Sequence, residues 1–387
     1  MHQSVDGNGL LYLARKLKTS QPGLIMIRLA YVFFIVLLVG HSAQARTITD
    51  AMERVVQIPD SVERVLCSGS GCLRLLSYLQ GQHLVVAVDD IETRRNEFDA
   101  RPYALANPQF KNMPVFGQFR GHDNPELILT LEPQPQLIFK IFGGSGYDPN
   151  ELQAKTGIPV VVVDAGNLGD RRPHLYASLR LMGDIIGKSQ RAEELIAYFE
   201  QAIDDLHART ADIPAAERPS VYLGGVAFRG PHGFQSTEPA YPPFAFIGAR
   251  NLAGQGLGKK MATADVAKEQ IVAWNPEYLF VDLSTLQMGD RAGGLFELRN
   301  DPAYANLDAA IKGRVFGLLP YNWYSQNFES ILANAYFIGK VLYPERFQDI
   351  DPVVQADAIY RFVVGKPVFA AMNEKFGHQA FTPLQVR

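Results

Sequence analysis

The 387-residue chain holds only two cysteines and two tryptophans, and its formal net charge is −3. Two thiols offer too few ligands for a structural zinc site, and a near-neutral balance leaves no electrostatic case for nucleic acid. Past the first fifty residues no stretch reaches the roughly 20 apolar residues of a membrane span. There is no Gly-x-Ser-x-Gly elbow, no phosphate-binding P-loop and no His-Glu-x-x-His motif. The eight histidines are scattered, with no close pair at metal-ligand spacing. An enzyme should show a nucleophile, a base or a metal cluster, so these absences favour a non-enzymatic role. An exported enzyme remains the alternative.

What is present begins near the N-terminus. Met26-Ile27-Arg28 precedes an apolar run over 29–39, followed by Gly40-His41-Ser42 and Ala43-Gln44-Ala45. A basic residue, a short apolar segment and a small-x-small ending are the parts of a secretory signal peptide, cleaved here after Ala45. The alternative is an N-terminal anchor or a buried core helix. Met26 stands in register as the true start, which makes residues 1–25 an upstream extension. No cysteine lies within or just after the apolar run, so a lipid anchor has no attachment point. A soluble, monomeric protein of the Gram-negative periplasm is expected. Cys67 and Cys72 flank Ser68-Gly69-Ser70-Gly71. In an oxidising compartment they could form a disulfide, which would chiefly rigidify the glycine turn. Two free buried thiols are the alternative.

Over residues 46–172, short β-rich apolar runs alternate with helices of one to three turns, the pattern of a parallel α/β domain. Strand ends are followed by Gly, Ser and Asp loops, where ligands bind in open α/β sheets. Residues 173–213 carry an apolar stripe at helical spacing, interrupted by Gly183 and Gly187, and are expected to form a long connector helix, bent or divided there. A second α/β domain spans 214–350, and 351–387 suggests one or two further helices packed on it. The fold class is therefore α/β: two Rossmann-like lobes joined by a single long helix, with a ligand cleft between the lobes.

The cleft loops are rich in arginine and aromatics. Arg94, Arg95 and Arg101 follow the second strand; Phe119, Arg120 and His122 follow the third; 142–147 is a glycine-rich turn opened by Phe142. Phe228, Arg229, His232 and Phe234 follow the first strand of the second half, and Tyr321, Asn322, Trp323 and Tyr324 follow its last. Guanidinium groups recognise anionic oxygens through paired hydrogen bonds, and aromatic walls suit a flat or apolar ligand body. Ser68-Gly69-Ser70-Gly71 is read as a strand-to-helix turn lining the cleft, since the third glycine of a dinucleotide fingerprint is missing.

The order of several segments over 60–347 resembles the periplasmic substrate-binding proteins of metal-chelate ABC importers. They are Arg64-Val65-Leu66 with its glycine loop, Pro114-Val115-Phe116-Gly117, Asn124-Pro125-Glu126, Glu132-Pro133-Gln134-Pro135-Gln136-Leu137-Ile138, Leu181-Met182-Gly183-Asp184, Gly248-Ala249-Arg250-Asn251-Leu252, Trp274-Asn275-Pro276-Glu277 and Leu342-Tyr343-Pro344-Glu345. The resemblance implies a binding protein with no intrinsic cofactor, which captures a small metal chelate and delivers it to a permease dimer with its ATPase. It further implies a docking acid on each lobe, Glu269 on the second and Asp148 or Glu151 on the first. The family carries ferric siderophores, haem, cobalamin or molybdate. The arginine and aromatic loops lead to the expectation of a ferric chelate, with molybdate or tungstate, haem and cobalamin as alternatives. Haem would draw on Tyr241, Tyr321, Tyr324, His122 or His232.

Overall fold

In the computed structural model, residues 45–94, 97–257 and 262–387 are described. The expected extension and signal peptide lie outside them apart from Ala45, as does Arg95. The architecture below belongs to the unit Thr47–Arg387.

In the first lobe the chain order is β1 (Val65–Ser68), α1 (Cys72–Tyr78), β2 (Val88–Asp89), α2 (Pro102–Ala106), β3 (Val115–Gln118), β4 (His122–Asp123), α3 (Pro125–Leu129), β5 (Leu137–Ile141), α4 (Pro149–Thr156) and β6 (Val160–Val163). The four residues of β6 are all valine and all buried. Such runs suit a parallel sheet covered on both faces, where branched side chains pack on the pleat. The parallel order is β1-β5-β6, with Val65 opposite Leu137 and Ile138 opposite Val160. β2 and β3 pair in parallel, and β4 turns back along β3. Val86 N–H donates to the Val65 carbonyl at 3.2 Å and links the two sheets. Asn124 caps α3 and Asp148 caps α4, each accepting two backbone N–H groups ahead of a proline-led first turn, an arrangement that fits both residue types.

The connector is two helices, not one: α5 (Arg172–Ile185) and α6 (Ser189–Ala208). Gly187 lies between them at φ 68°, a left-handed conformation that ends helices and favours glycine. The pairs Arg180–Glu193 at 2.7 Å and Arg172–Glu200 at 3.2 Å show that the helices run antiparallel. A Cβ on Gly183 would meet the Ala192 Cβ and the Lys188 carbonyl at 3.0 Å, so its absence lets the hairpin close. α6 then reaches the second lobe, where Tyr336 Oη donates to Asp205 at 2.8 Å.

The second lobe contains β7 (Ser220–Gly224), α7 (Pro242–Phe246), β8 (Arg250–Asn251), α8 (Lys268–Trp274), β9 (Tyr278–Asp282), α9 (Gly294–Asn300), β10 (Val315–Leu318) and α10 (Phe328–Leu342). Its sheet is parallel in the order β8-β7-β9-β10. The C-terminal extension forms α11 (Pro352–Val364) and α12 (Phe369–Lys375). It packs on the second lobe, with Tyr360 Oη and Ser330 Oγ 3.2 Å apart. The tail also covers the β10 edge, with Leu384 N–H donating to the Val315 carbonyl at 2.8 Å, which shields an otherwise open row of backbone groups. It reaches the first lobe too: Lys366 Nζ donates to the Ala106 carbonyl at 2.6 Å, and the Phe376 and Phe98 rings meet at 5.9 Å.

Candidate ligand-binding cleft

A cavity of about 340 Å³ opens at the carboxyl ends of the strands. Ser70 comes from the loop after β1, Ile91 from the turn after β2, and Phe119 and Arg120 from the loop after β3. From the second lobe, Ala227, Arg229 and Gly230 follow β7, Gln287 follows β9, and Asn322, Trp323, Tyr324 and Ser325 follow β10. Six loops, each after a parallel strand, converge as expected for ligand sites in open α/β sheets. The turn after β1 requires glycine: Gly69 has φ 86°, and a Cβ there would fall 2.2 Å from the Ile141 carbonyl oxygen.

Among the described residues the lining carries two cations, Arg120 and Arg229, one from each lobe, and no carboxylate. Each guanidinium lies over a neighbouring ring, Arg120 5.0 Å from the Phe119 centroid and Arg229 5.3 Å from that of Phe228. Among the described residues neither has a carboxylate partner within ion-pair distance. Four lining residues hold left-handed backbone: Arg120 at φ 61°, Arg229 at 57°, Tyr324 at 49° and Ser325 at 72°. Such conformations cost energy in non-glycine residues and collect where surrounding structure holds a functional loop in place.

Buried polar groups supply that hold. Arg74 on α1, 1% exposed, donates from Nη2 to the carbonyls of Trp323 at 3.0 Å and Tyr324 at 2.7 Å, and from Nε to Asn327 Oδ1 at 2.9 Å. Tyr78 Oη, also on α1, donates to Glu329. Tyr324 Oη donates to Asp89 Oδ2 and accepts the Arg120 backbone N–H at 3.1 Å. Beneath the first-lobe loops, fully buried Lys140 contacts Asp123 Oδ2 at 2.5 Å, Ser68 Oγ at 3.0 Å and the Gly121 carbonyl at 3.1 Å. Burial raises the carboxyl groups of Asp89 and Glu329 to about 7, and Asp89 is pushed further by the nearby Glu92.

Of the residues singled out from sequence, Ser70, Arg120, Arg229, Asn322, Trp323 and Tyr324 come together in the cavity. Ser68 is buried behind it against Lys140, and Gly69 shapes the turn without lining the cavity. Phe142 lies outside the lining. His122 is exposed and borders a separate depression of about 790 Å³ on the first lobe. His232 Nε2 lies 2.7 Å from the Phe228 carbonyl, within its own loop. Tyr241 is core, its hydroxyl accepting from Asn334 Nδ2 at 3.3 Å, and Tyr321 is buried, donating to Glu238. Cys67 and Cys72 are free buried thiols, not a disulfide, and Cys72 Sγ donates to the Phe139 carbonyl at 3.4 Å. Burial pushes the Cys67 thiol up, which keeps it unreactive. Ile91 and Gln287 were missed by the sequence reading, although their position after β2 and β9 was the available signal. Among the described residues no group of three or more His, Cys, Asp or Glu could hold a metal ion.

The three acids expected to dock on a permease are not equivalent. Asp148 Oδ1 caps α4, accepting from Asn150 N–H at 2.9 Å and Glu151 N–H at 3.0 Å. Glu151 is exposed and pairs with Lys155 at 3.0 Å, and Glu269 is exposed in the first turn of α8. No helix among the described residues is long and apolar enough to cross a membrane.

The chain is 24% identical over 330 residues to the molybdate-binding protein MolA of Haemophilus influenzae, covering 79% of this chain and 87% of that protein. The molybdate-bound structure of MolA superposes with a TM-score of 0.62 at 22% identity, covering 83% of this chain and 98% of that one. A periplasmic solute-binding protein of Veillonella parvula gives 0.65 at 17% identity over 86% and 97%. The periplasmic haem-binding protein HutB of Vibrio cholerae gives 0.51 at 21% identity over 73% and 99%. The model of the periplasmic binding protein family matches residues 84–321, more than half of the chain, and the chain belongs to that family.

Proposed function

We propose that this protein captures a tetrahedral oxyanion of the molybdate or tungstate type between its lobes and hands it to the permease of an ABC importer. The observation that carries this is the pairing of Arg120 and Arg229 from opposite lobes in a cavity that, among the described residues, is lined by no carboxylate. Two guanidinium groups match a dianion in charge, and their forked donors match its oxygens. At about 340 Å³ the cavity sits at the small end of the roughly 300–1,000 Å³ spanned by ligand pockets. Ser70, Gln287 and Asn322 add neutral donors around the same space. The likeness to a molybdate-binding relative supports the same choice over the ferric chelate expected from sequence.

Capture here is binding without chemistry, and the acids exposed for permease contact are Glu151 on the first lobe and Glu269 on the second. Export by the signal peptide over 26–45 belongs to the same proposal. The test is titration of the purified protein, followed by Trp323 fluorescence and calorimetry, with sodium molybdate, tungstate and sulfate, and in parallel with ferric chelates, haem and cobalamin. Saturable one-to-one binding of molybdate or tungstate is expected. Binding of a ferric chelate or haem with no response to either oxyanion would overturn the proposal.

A further inference from the structure

Asp89 ends β2, is 5% exposed and does not line the cavity. Its Oδ2 accepts the Tyr324 hydroxyl proton, and its Oδ1 is buried with no hydrogen-bond partner among the described residues. The Tyr324 oxygen in turn accepts the Arg120 N–H at 3.1 Å, and Tyr324 is one of the residues that line the cavity. A carboxyl group, a phenol and the backbone of an anion-binding arginine thus form one chain across the lobes. Arg120 and Tyr324 both hold left-handed backbone, so the chain joins two loops that gain from being pinned.

We propose that Asp89 is the positioning residue of the anion site and couples oxyanion capture to uptake of one proton. This rests on the oxyanion reading of the cavity. With Asp89 ionised, the Tyr324 hydroxyl proton is committed to the carboxylate and points away from the ligand. With Asp89 protonated, its O–H donates to the Tyr324 oxygen, which still accepts from Arg120. The phenolic proton then turns outward and donates to an anion oxygen. No covalent bond changes; one proton from solvent moves onto Asp89. Removing the carboxylate charge also removes a repulsion from the incoming dianion, so both effects favour binding by the protonated form.

The groups around Asp89 fit a carboxyl that titrates. Glu92 and Asp90 in the following turn raise its proton affinity, and Arg101, bound to Asp99 at 2.9 Å and Glu92 at 3.0 Å, lowers it. Asp90 is itself engaged, accepting the Phe119 N–H at 2.9 Å and pairing with Arg94. Cys67 on β1 faces Asp89 as a neutral thiol, and Tyr324 faces it from the second lobe. Burial, the largest influence, brings the Asp89 carboxyl to about 7.

Calorimetry with sodium molybdate in buffers of different ionisation enthalpy counts the protons taken up. The wild-type protein should take up as much as about three-quarters of a proton per anion at pH 7.5, and its affinity should then fall roughly tenfold between pH 6 and 8. Asp89→Asn cannot ionise, and its amide N–H can donate to the Tyr324 oxygen as the protonated acid would. It should bind at pH 8 as tightly as wild type does at pH 6, with no proton uptake. Tyr324→Phe should bind more weakly at every pH and also without proton uptake. Molybdate binding with no linked proton in the wild type overturns the proposal irrespective of how the variants fold. A pH slope retained in Asp89→Asn overturns it too. No molybdate binding at all would count instead against the oxyanion reading.

Discussion

Arg74, on the first helix of the first lobe, donates to the backbone carbonyl of Tyr324, on the last cleft loop of the second, at 2.7 Å. The same guanidinium binds the Trp323 carbonyl and the Asn327 side chain. The loop that carries Asn322, Trp323, Tyr324 and Ser325 is covalently part of the second lobe yet anchored to the first. Its left-handed residues need this outside support, because strained backbone relaxes once its carbonyls lose their donors. Arg74→Met keeps the length of the side chain and removes its donors. It should weaken oxyanion binding by tenfold or more and broaden the Trp323 emission response, while the first-lobe core stays folded. Unchanged affinity would show that the loop holds itself.

Arg120 and Arg229 should contribute comparably, since each brings one charge to a shared dianion. A hydrogen bond to a charged group is worth about 1.5–3 kcal/mol, so Arg120→Ala and Arg229→Ala should each lower affinity roughly ten- to hundredfold. Lysine at either position should recover part of the loss, because it restores the charge but not the fork. The measurement is molybdate titration at fixed ionic strength, since the charge contribution of these exposed arginines is screened by salt.

Lys140 and Asp123 form an ion pair with both side chains fully buried, and Lys140 also ties Ser68 to Gly121. Breaking such a pair leaves an uncompensated buried charge and costs about 3–5 kcal/mol, whereas apolar replacement of both partners is often neutral. Lys140→Met should therefore strongly destabilise the protein in chemical denaturation, and adding Asp123→Leu should restore most of the stability. Affinity should stay low in the double variant, because the loops bearing Ser70 and Arg120 remain untied. Stability and binding recovering together would argue that Lys140 serves only the core.

Much of this frame was legible in the sequence, and the illegible part has a physical cause. The four valines of β6, the Asn124-Pro125 helix start and the strand-end loops announced parallel α/β lobes through patterns set within a few residues. Arg120, Arg229 and Trp323 were visible because cations and aromatics in strand-end loops have few other uses. His122 and Tyr241 looked equivalent to them, but burial and direction depend on tertiary packing: one side chain faces solvent and the other fills the core. Arg74, Asp89 and Lys140 act by reaching across the fold, to partners 249, 235 and 72 residues away, and no local pattern records such a partnership. The connector's division was foreshadowed by Gly187, whose left-handed conformation only the structure establishes.

Four buried carboxyl groups hold protons above the ordinary range. Burial raises Glu238 to about 8, Asp89 and Glu329 to about 7, and Asp282 to about 6. Unfolded, they titrate near the ordinary values of about 3.9 for Asp and 4.3 for Glu. Between those values and 6–8 the folded state binds more protons than the unfolded one, so stability falls as pH rises through this window. Asp349, held down to about 2 by Arg209, works in the opposite sense but only below about pH 4. Thermal unfolding should occur several degrees lower at pH 8.5 than at pH 5.5. Glu238→Gln and Glu329→Gln should each flatten that slope, and a flat wild-type profile would contradict the assignment.

The two lobes expose Glu151 and Glu269, while Asp148 is committed to capping α4. If a permease reads one acid on each lobe, the readable ones are the two without a backbone duty. Glu151→Arg combined with Glu269→Arg should leave molybdate affinity unchanged, because neither residue lines the cavity, and should abolish import in cells that depend on the transporter. Asp148→Asn keeps the cap, since asparagine accepts backbone N–H groups as well as aspartate does, and should leave import intact. Asp148→Arg should cost about 1 kcal/mol of stability through the lost cap. Import measured alongside folded protein in the periplasm separates these effects: loss in Asp148→Asn would make Asp148 the contact, and normal import in the double reversal would remove both glutamates from the interface.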